Sequence, residues 1–255
     1  MLIDTHAHYD DAAFDEDRKQ LINFLKEEKI IAIDSGASMA SSKKAVELSH
    51  EFDNIYALVG VHPDDVGELT AESMSELAKL SEDKKVVGIG EIGLDYYWDK
   101  EDRELQKNWF AKQIELAKQV KLPICIHSRD AAADTLEIVK KYDGGANGGV
   151  VHCYSYGTEI AKEYLEMGFC FGIGGVLTYK NGRKLKEVVE YLPMDRIVLE
   201  TDCPYLAPDP LRGKRNSSLN LKYVVSVLAQ IKGVDEEEVI NITAENARRV
   251  YTKLI

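Results

Sequence analysis

Cysteine is scarce in this chain. Its 255 residues hold four, at positions 125, 153, 170 and 203, and no two are spaced as Cys-x-x-Cys. A disulfide framework is therefore not expected. Cys125, Cys153 and Cys170 lie in apolar, strand-like runs, as the reduced, buried thiols of a cytosolic protein do. Cys203 falls in a polar turn and reads as a small packed residue. Positive charge is short as well: 32 Lys and Arg stand against 44 Asp and Glu, a net charge of -12. A protein that coats duplex nucleic acid is normally basic. Any nucleic acid here would be met at a local basic patch or at strand ends.

Further absences narrow the field. No run approaches the ~18 apolar residues of a membrane span. Asp4 and His6 stand where a secretory leader needs an apolar core, so the expected location is the cytoplasm. The acceptor patterns Asn216-Ser217-Ser218 and Asn241-Ile242-Thr243 are then chance matches. The first strand-like run leads into Ala7-His8-Tyr9-Asp10, where a doubly wound sheet would usually carry a glycine-rich phosphate loop. Neither a linker nor a low-complexity tract divides the chain, so residues 1–255 are expected to form a single domain. No exposed apolar patch is legible, which fits a monomer or a weak dimer.

What is present is a rhythm. Hydrophobic residues make up 45% of the chain, enough for a large core. Short apolar runs alternate with amphipathic ones from end to end. The spacing predicts a helix over Glu16–Lys29 with Leu21, Phe24, Leu25 and Glu28 on one face. It predicts a strand over Lys85–Gly90 that stops at Glu91. The longest helix is expected over Glu101–Val120, with Leu105, Trp109, Ile114 and Ala117 turned inward. Ala131–Tyr142 reads as a helix ended by Asp143-Gly144-Gly145, with glycine in its C-terminal role. Asp235 is an N-cap for a last helix, with Glu238 three residues on. Eight strands, each followed by a helix, predict an α/β (β/α)8 TIM barrel. An open doubly wound sheet is the alternative.

The strands end in a telling way. Their predicted ends fall at His6/His8, His62, Glu91, His127, His152 and Asp202. Of the six histidines, only His50 lies elsewhere. One histidine at a strand end is ordinary packing. In a barrel, however, all the C-terminal strand ends surround one mouth, where active sites form. His6 and His8, two apart in an extended segment, aim at one point. They would hold a first divalent metal ion, with Asp202 completing its shell and orienting the attacking water. Glu91 would bridge to a second ion held by His127 and His152. Two ions about 3.5–4 Å apart can share and activate a hydroxide. Nitrogen and oxygen donors without thiolate suit zinc, manganese, iron or nickel, and magnesium less well. His62, Arg129 and the run Arg212-Gly213-Lys214-Arg215 are candidates for binding substrate phosphate. Tyr96, Tyr97 and Trp98 could stack on a base or pack the barrel rim.

Several stretches together carry a resemblance. They include Asp4-Thr5-His6-Ala7-His8, Gly60-Val61-His62-Pro63, Gly90-Glu91-Ile92-Gly93-Leu94-Asp95-Tyr96-Tyr97, Ile126-His127-Ser128-Arg129, Val151-His152-Cys153-Tyr154, Glu200-Thr201-Asp202-Cys203-Pro204 and Arg212-Gly213-Lys214-Arg215-Asn216. In this order, along the whole chain, they resemble the TatD-type metal-dependent deoxyribonucleases of the amidohydrolase-like barrels. The resemblance implies metal ligands at His6, His8, Glu91, His127, His152 and Asp202. It also implies hydrolysis of DNA phosphodiesters, with 3′-5′ exonuclease action near single-stranded ends. Some relatives are linked instead to D-aminoacyl-tRNA, so a deacylase or another ester or amide hydrolase with the same site is the alternative. The chain departs from the family pattern at Ser217-Ser218, where Glu-Pro is usual, and at Tyr154-Ser155-Tyr156-Gly157. Both departures are expected near the substrate mouth.

Overall fold

The computed structural model of the chain describes residues 1–98 and 100–254. The strands are β1 (Leu2–Ala7), β2 (Ile30–Ser35), β3 (Ile55–Val59), β4 (Val86–Asp95), β5 (Ile124–Arg129), β6 (Gly149–Val151), β7 (Cys170–Ile173) and β8 (Ile197–Leu199). Between them run α1 (Arg18–Glu27), α2 (Met39–Glu51), α3 (Ala71–Ser81), α4 (Arg103–Val120), α5 (Ala132–Lys141), α6 (Thr158–Glu166) and α7 (Arg183–Tyr191). Then come α8 (Leu221–Lys232) and α9 (Glu236–Val250). The strands pair in parallel in sequence order, β1 to β8. The ring closes where the amides of Thr201 and Asp202 reach the carbonyl oxygen of His6 and Ala7 bridges to Cys203. This is the (β/α)8 barrel that the alternation predicts.

Local chemistry explains the helix starts. Ser38 and Ser41 exchange side-chain-to-backbone bonds in a capping box ahead of α2, and Thr70 and Ser73 do the same for α3. Each satisfies two amides that would otherwise lack partners. Asp235 caps α9 through the amide of Glu238, as the sequence predicts. Along α9, Val239, Thr243, Ala244, Ala247 and Val250 are buried at helical spacing. Of these, Ala244, Ala247 and Val250, with Tyr251, pack on Ile3, Ile33, Leu58, Val87, Cys125, Val150, Cys170 and Val198. Those residues come from all eight strands, so they fill the barrel's interior, and α9 seals its lower end.

The structure corrects several expectations. Helix α1 buries Ile22 and Leu25, while Phe24 is 45% exposed. The inward stripe is thus rotated by about one residue from the face with Leu21, Phe24 and Glu28. In α4, Gln106, Phe110 and Gln113 face inward, and Leu105 and Trp109 are only half-buried. The two glutamines work as backbone clamps. Gln106 bonds the amide and carbonyl of Asp95, and Gln113 those of Val61. After α5 the left-handed residue is Asp143 (φ 54°), not a glycine. Strand β4 does not stop at Glu91. Its pairing with β5 shifts register between Ile89 and Ile92, then resumes to Asp95. Gly93 permits this: a Cβ there would lie 1.8 Å from the carbonyl oxygen of His127.

Candidate metal centre

Strand β1 delivers His6 and His8 to one point. Their Nε2 atoms are 3.2 Å apart. The Nδ1 atom of His8 donates to the carbonyl oxygen of Ser35 at 2.9 Å, which leaves the lone pair of neutral His8 on Nε2. His6 is fully buried, with Nδ1 3.4 Å from the Cys125 sulfur. Two imidazole nitrogens thus face one another with their other edges already engaged. Asp202, just past β8, puts Oδ1 3.3 Å from His8 Nε2 and 3.8 Å from His6 Nε2.

Glu91 spans the site. Its Oε2 is 3.3 Å from His6 Nε2 and 3.8 Å from His8 Nε2. Its Oε1 is 2.7 Å from His127 Nδ1 and 3.8 Å from His152 Nε2. His152 stacks on His6 with ring centroids 3.5 Å apart, and its Nε2 is 3.7 Å from Asp202 Oδ1. All six candidate ligands meet. They come from positions 6 to 202, and the sequence points to each of them.

The electrostatics fit a cation. Burial opposes charge on His8, yet hydrogen-bonded Asp202 and nearby Glu91 push its pKa up to about 10. His127 rises to about 9 against burial through Asp95 and Glu91, and His152 to about 9 through Glu200 and Glu91. Burial would raise the Glu91 carboxyl, but His6 and His127 hold it well below the usual carboxylate range. Asp202 is lowered against burial through His8 and His152. The carboxylates thus draw positive charge into a buried cluster. Ligand atoms of His6, His8 and Glu91 lie within 4.8 Å of one another, as do those of Glu91, His127 and His152. These nitrogen and oxygen donors form groups that could hold a divalent metal ion, with Glu91 common to two of them.

Comparison with known proteins agrees. Residues 3–252 match the family model described as TatD related DNase. The chain belongs to the TatD family. It is 44% identical over 252 residues to the uncharacterized metal-dependent hydrolase YabD of Bacillus subtilis, covering 98% of this chain and 99% of that protein. It is 32% identical over 255 residues to the uncharacterized metal-dependent hydrolase YcfH of Escherichia coli K12, covering 98% and 96%. Among solved structures, YjjV, a TatD homologue from Escherichia coli K12, superposes with a TM-score of 0.92 at 27% identity, covering 98% of each chain.

Within this TatD-family site, some residues escaped the sequence reading. Asp95 takes the Nε2–H of His127 on Oδ2 at 3.0 Å, freeing Nδ1 for the Glu91 side. A signal existed: Asp95 follows Glu91 by four in a strand, so both point to one face. Glu200 places Oε2 3.2 Å from His152 Nδ1 without the alignment of a hydrogen bond, and Oε1 accepts from the Cys153 amide at 2.6 Å. Glycine at 172 makes room for it, since a Cβ would sit 1.9 Å from Glu200 Oε2.

Above the centre opens a bowl of about 790 Å³. His62 and Arg129 line it, as the sequence reading expects of substrate contacts. Burial and the neighbouring His127 push the His62 pKa down to about 3. Its Nδ1 accepts the Asp64 amide, so neutral His62 presents an Nε2–H donor and no cation. Arg212, Lys214 and Arg215 are not among the lining residues. The Arg212 guanidinium lies 4.2 Å over the Tyr179 ring. Arg215 pairs with Asp17 at 2.5 Å and bonds the Ala13 carbonyl, so it ties the loop after β8 to the loop after β1. Ser218 is not at the mouth either. It is buried, 2.6 Å from Asp4 Oδ2 and 2.8 Å from the Tyr9 hydroxyl. Tyr156 bonds Ser128 and the Ala131 amide, which fixes the loop after β6.

Proposed function

We propose that this TatD-family hydrolase cleaves phosphodiester bonds in DNA, working as a 3′-5′ exonuclease on single strands with two divalent metal ions in the cytoplasm. The observation that carries the reading is the reach of Glu91: one carboxylate touches the His6/His8 group with one oxygen and the His127 group with the other. His6, His8 and Asp202 would hold one ion, and His127 and His152 the other, with Glu91 between them. Such a pair supplies an activated water and polarises the phosphoryl oxygen. Asp202, partly exposed at the floor of the bowl, would orient the attacking water and accept its proton. The Nε2–H of His62 and the guanidinium of Arg129 would hold the scissile phosphate. Arg212 and Lys214, farther along the loop, would meet only more distant phosphates. Four unpaired thiols fit a reducing compartment.

A second reading keeps the same centre and changes the bond. Asp10, Asp11, Asp64 and Asp65 line the bowl, and an acidic wall suits the free ammonium group of an aminoacyl ester or amide. D-aminoacyl-tRNA is one such substrate. Metal analysis of the purified protein, then hydrolysis assays with each metal restored, separates the two. Turnover of single-stranded DNA but not of a D-aminoacyl ester upholds the first reading. The reverse result replaces it with the second.

A further inference from the structure

Among the described residues, six large apolar side chains are markedly exposed, and three of them, Tyr97, Trp98 and Tyr205, gather at the bowl. Tyr97 and Trp98 are 54% and 56% exposed. Scattered exposed aromatics are normal; a cluster beside a reactive centre is informative. Tyr96, next in sequence, is committed elsewhere. Its hydroxyl donates to Asp134 at 2.7 Å, and Arg103 covers its ring.

The Arg129 guanidinium lies 3.8 Å from the Tyr97 ring centroid and 5.5 Å from that of Trp98. Among the described residues it makes no ion pair, although the chain carries a net charge of -12. Trp98 and Arg129 both line the bowl that holds the candidate ligands. The two rings meet edge to face, 4.9 Å apart at 85°. The group is also anchored. Asp95 Oδ1 accepts the amides of Tyr97 and Trp98, while its Oδ2 holds His127. One carboxylate therefore sets the position of the aromatic pair relative to the metal centre.

We infer that Tyr97, Trp98 and Arg129 form a stacking platform for one unpaired nucleobase of a single-stranded substrate. The inference rests on the nucleic-acid reading above. Every base has a flat π-face, so such a platform is tolerant of sequence, and a base stacked within a duplex cannot lie on it. Arg129 would place one face against the rings and turn its N–H edge to a backbone phosphate.

Tryptophan emission gives a direct test. The chain has two tryptophans, and Trp109→Phe leaves Trp98 as the reporter. A phosphorothioate-linked octathymidylate, which resists cleavage, should quench that emission saturably. A phosphorothioate chain of equal length without bases should bind about tenfold more weakly or worse. If Trp109→Phe does not fold, the difference in emission between the native protein and Trp98→Phe reports the same contact. Trp98→Ala should raise KM for ordinary octathymidylate about tenfold with little change in kcat, and Trp98→Phe should recover most of the loss. Equal quenching by both chains, no quenching, or an unchanged KM overturns the platform. Base-dependent quenching without hydrolysis under any metal keeps the platform and removes the nuclease reading instead.

Discussion

The hydroxyl of Ser218 lies 2.6 Å from the buried Asp4 carboxylate, across 214 residues of chain. Thr201 donates to the same carboxylate through its hydroxyl and its amide. Asp4 therefore joins β1, which carries His6, to the segment after β8 that carries Asp202. Ser218→Ala removes one of these donors from a fully buried acid. The expected cost is about 1–3 kcal/mol of stability, read as a lower Tm. An unchanged Tm would mean that the carboxylate does not depend on this hydroxyl.

Asp95 and His127 lead to a second expectation. Asp95→Asn keeps the shape but replaces the carboxylate that faces the His127 Nε2–H. Partners of this kind fix the ring's tautomer, and their loss typically costs about 10–100-fold in metal affinity or activity. Titration of metal into the variant and the native protein measures the difference.

His127→Ala should abolish hydrolysis while the fold survives. The ring is partly exposed at the bowl, and its removal spares the sealed apolar layer beneath. Circular dichroism checks the fold, and an assay on single-stranded DNA checks activity. Full activity in the purified variant would remove His127 from the centre.

Metal loading should release protons. Without an ion, the neighbouring carboxylates raise the pKa values of His8, His127 and His152, so these imidazoles carry charge at neutral pH. A divalent ion needs their lone pairs and must displace those protons. Affinity should accordingly weaken as pH falls and strengthen as it rises. Calorimetry in two buffers of different ionisation enthalpy counts the protons released; a count of zero contradicts the arrangement.

Arg215 gives a contrast. Its ion pair with Asp17 is more than one-third exposed on both sides. Arg215→Ala should cost less than about 1 kcal/mol and leave KM for an oligonucleotide within about twofold. A large rise in KM would return Arg215 to the substrate-binding set.

Much of this is legible in the sequence. Parallel barrels write their strands as apolar runs and place their chemistry where those runs end, so His6, His8, His127, His152 and Asp202 stood out. Glu91 was found for a partly wrong reason. The sequence reads as a strand over Lys85–Gly90 that stops at Glu91, whereas Gly90 and Gly93 let it press against β5 and continue. Asp95, beyond that apparent end, therefore does not stand out in the sequence. The cations at 212, 214 and 215 illustrate another limit. Sequence puts them next to Asp202, but side-chain direction depends on partners such as Tyr179 and Asp17, which lie far away in the chain. Ser218 shows the same limit, since its partners are Asp4 and Tyr9.

Helix α9 closes the underside of the barrel, on the side away from the bowl. A polymer cannot be threaded through from top to bottom. A strand of the proposed substrate would have to come to the mouth, and its products would have to leave on the same side. Entry and exit at one face would then bear on turnover alongside bond cleavage itself.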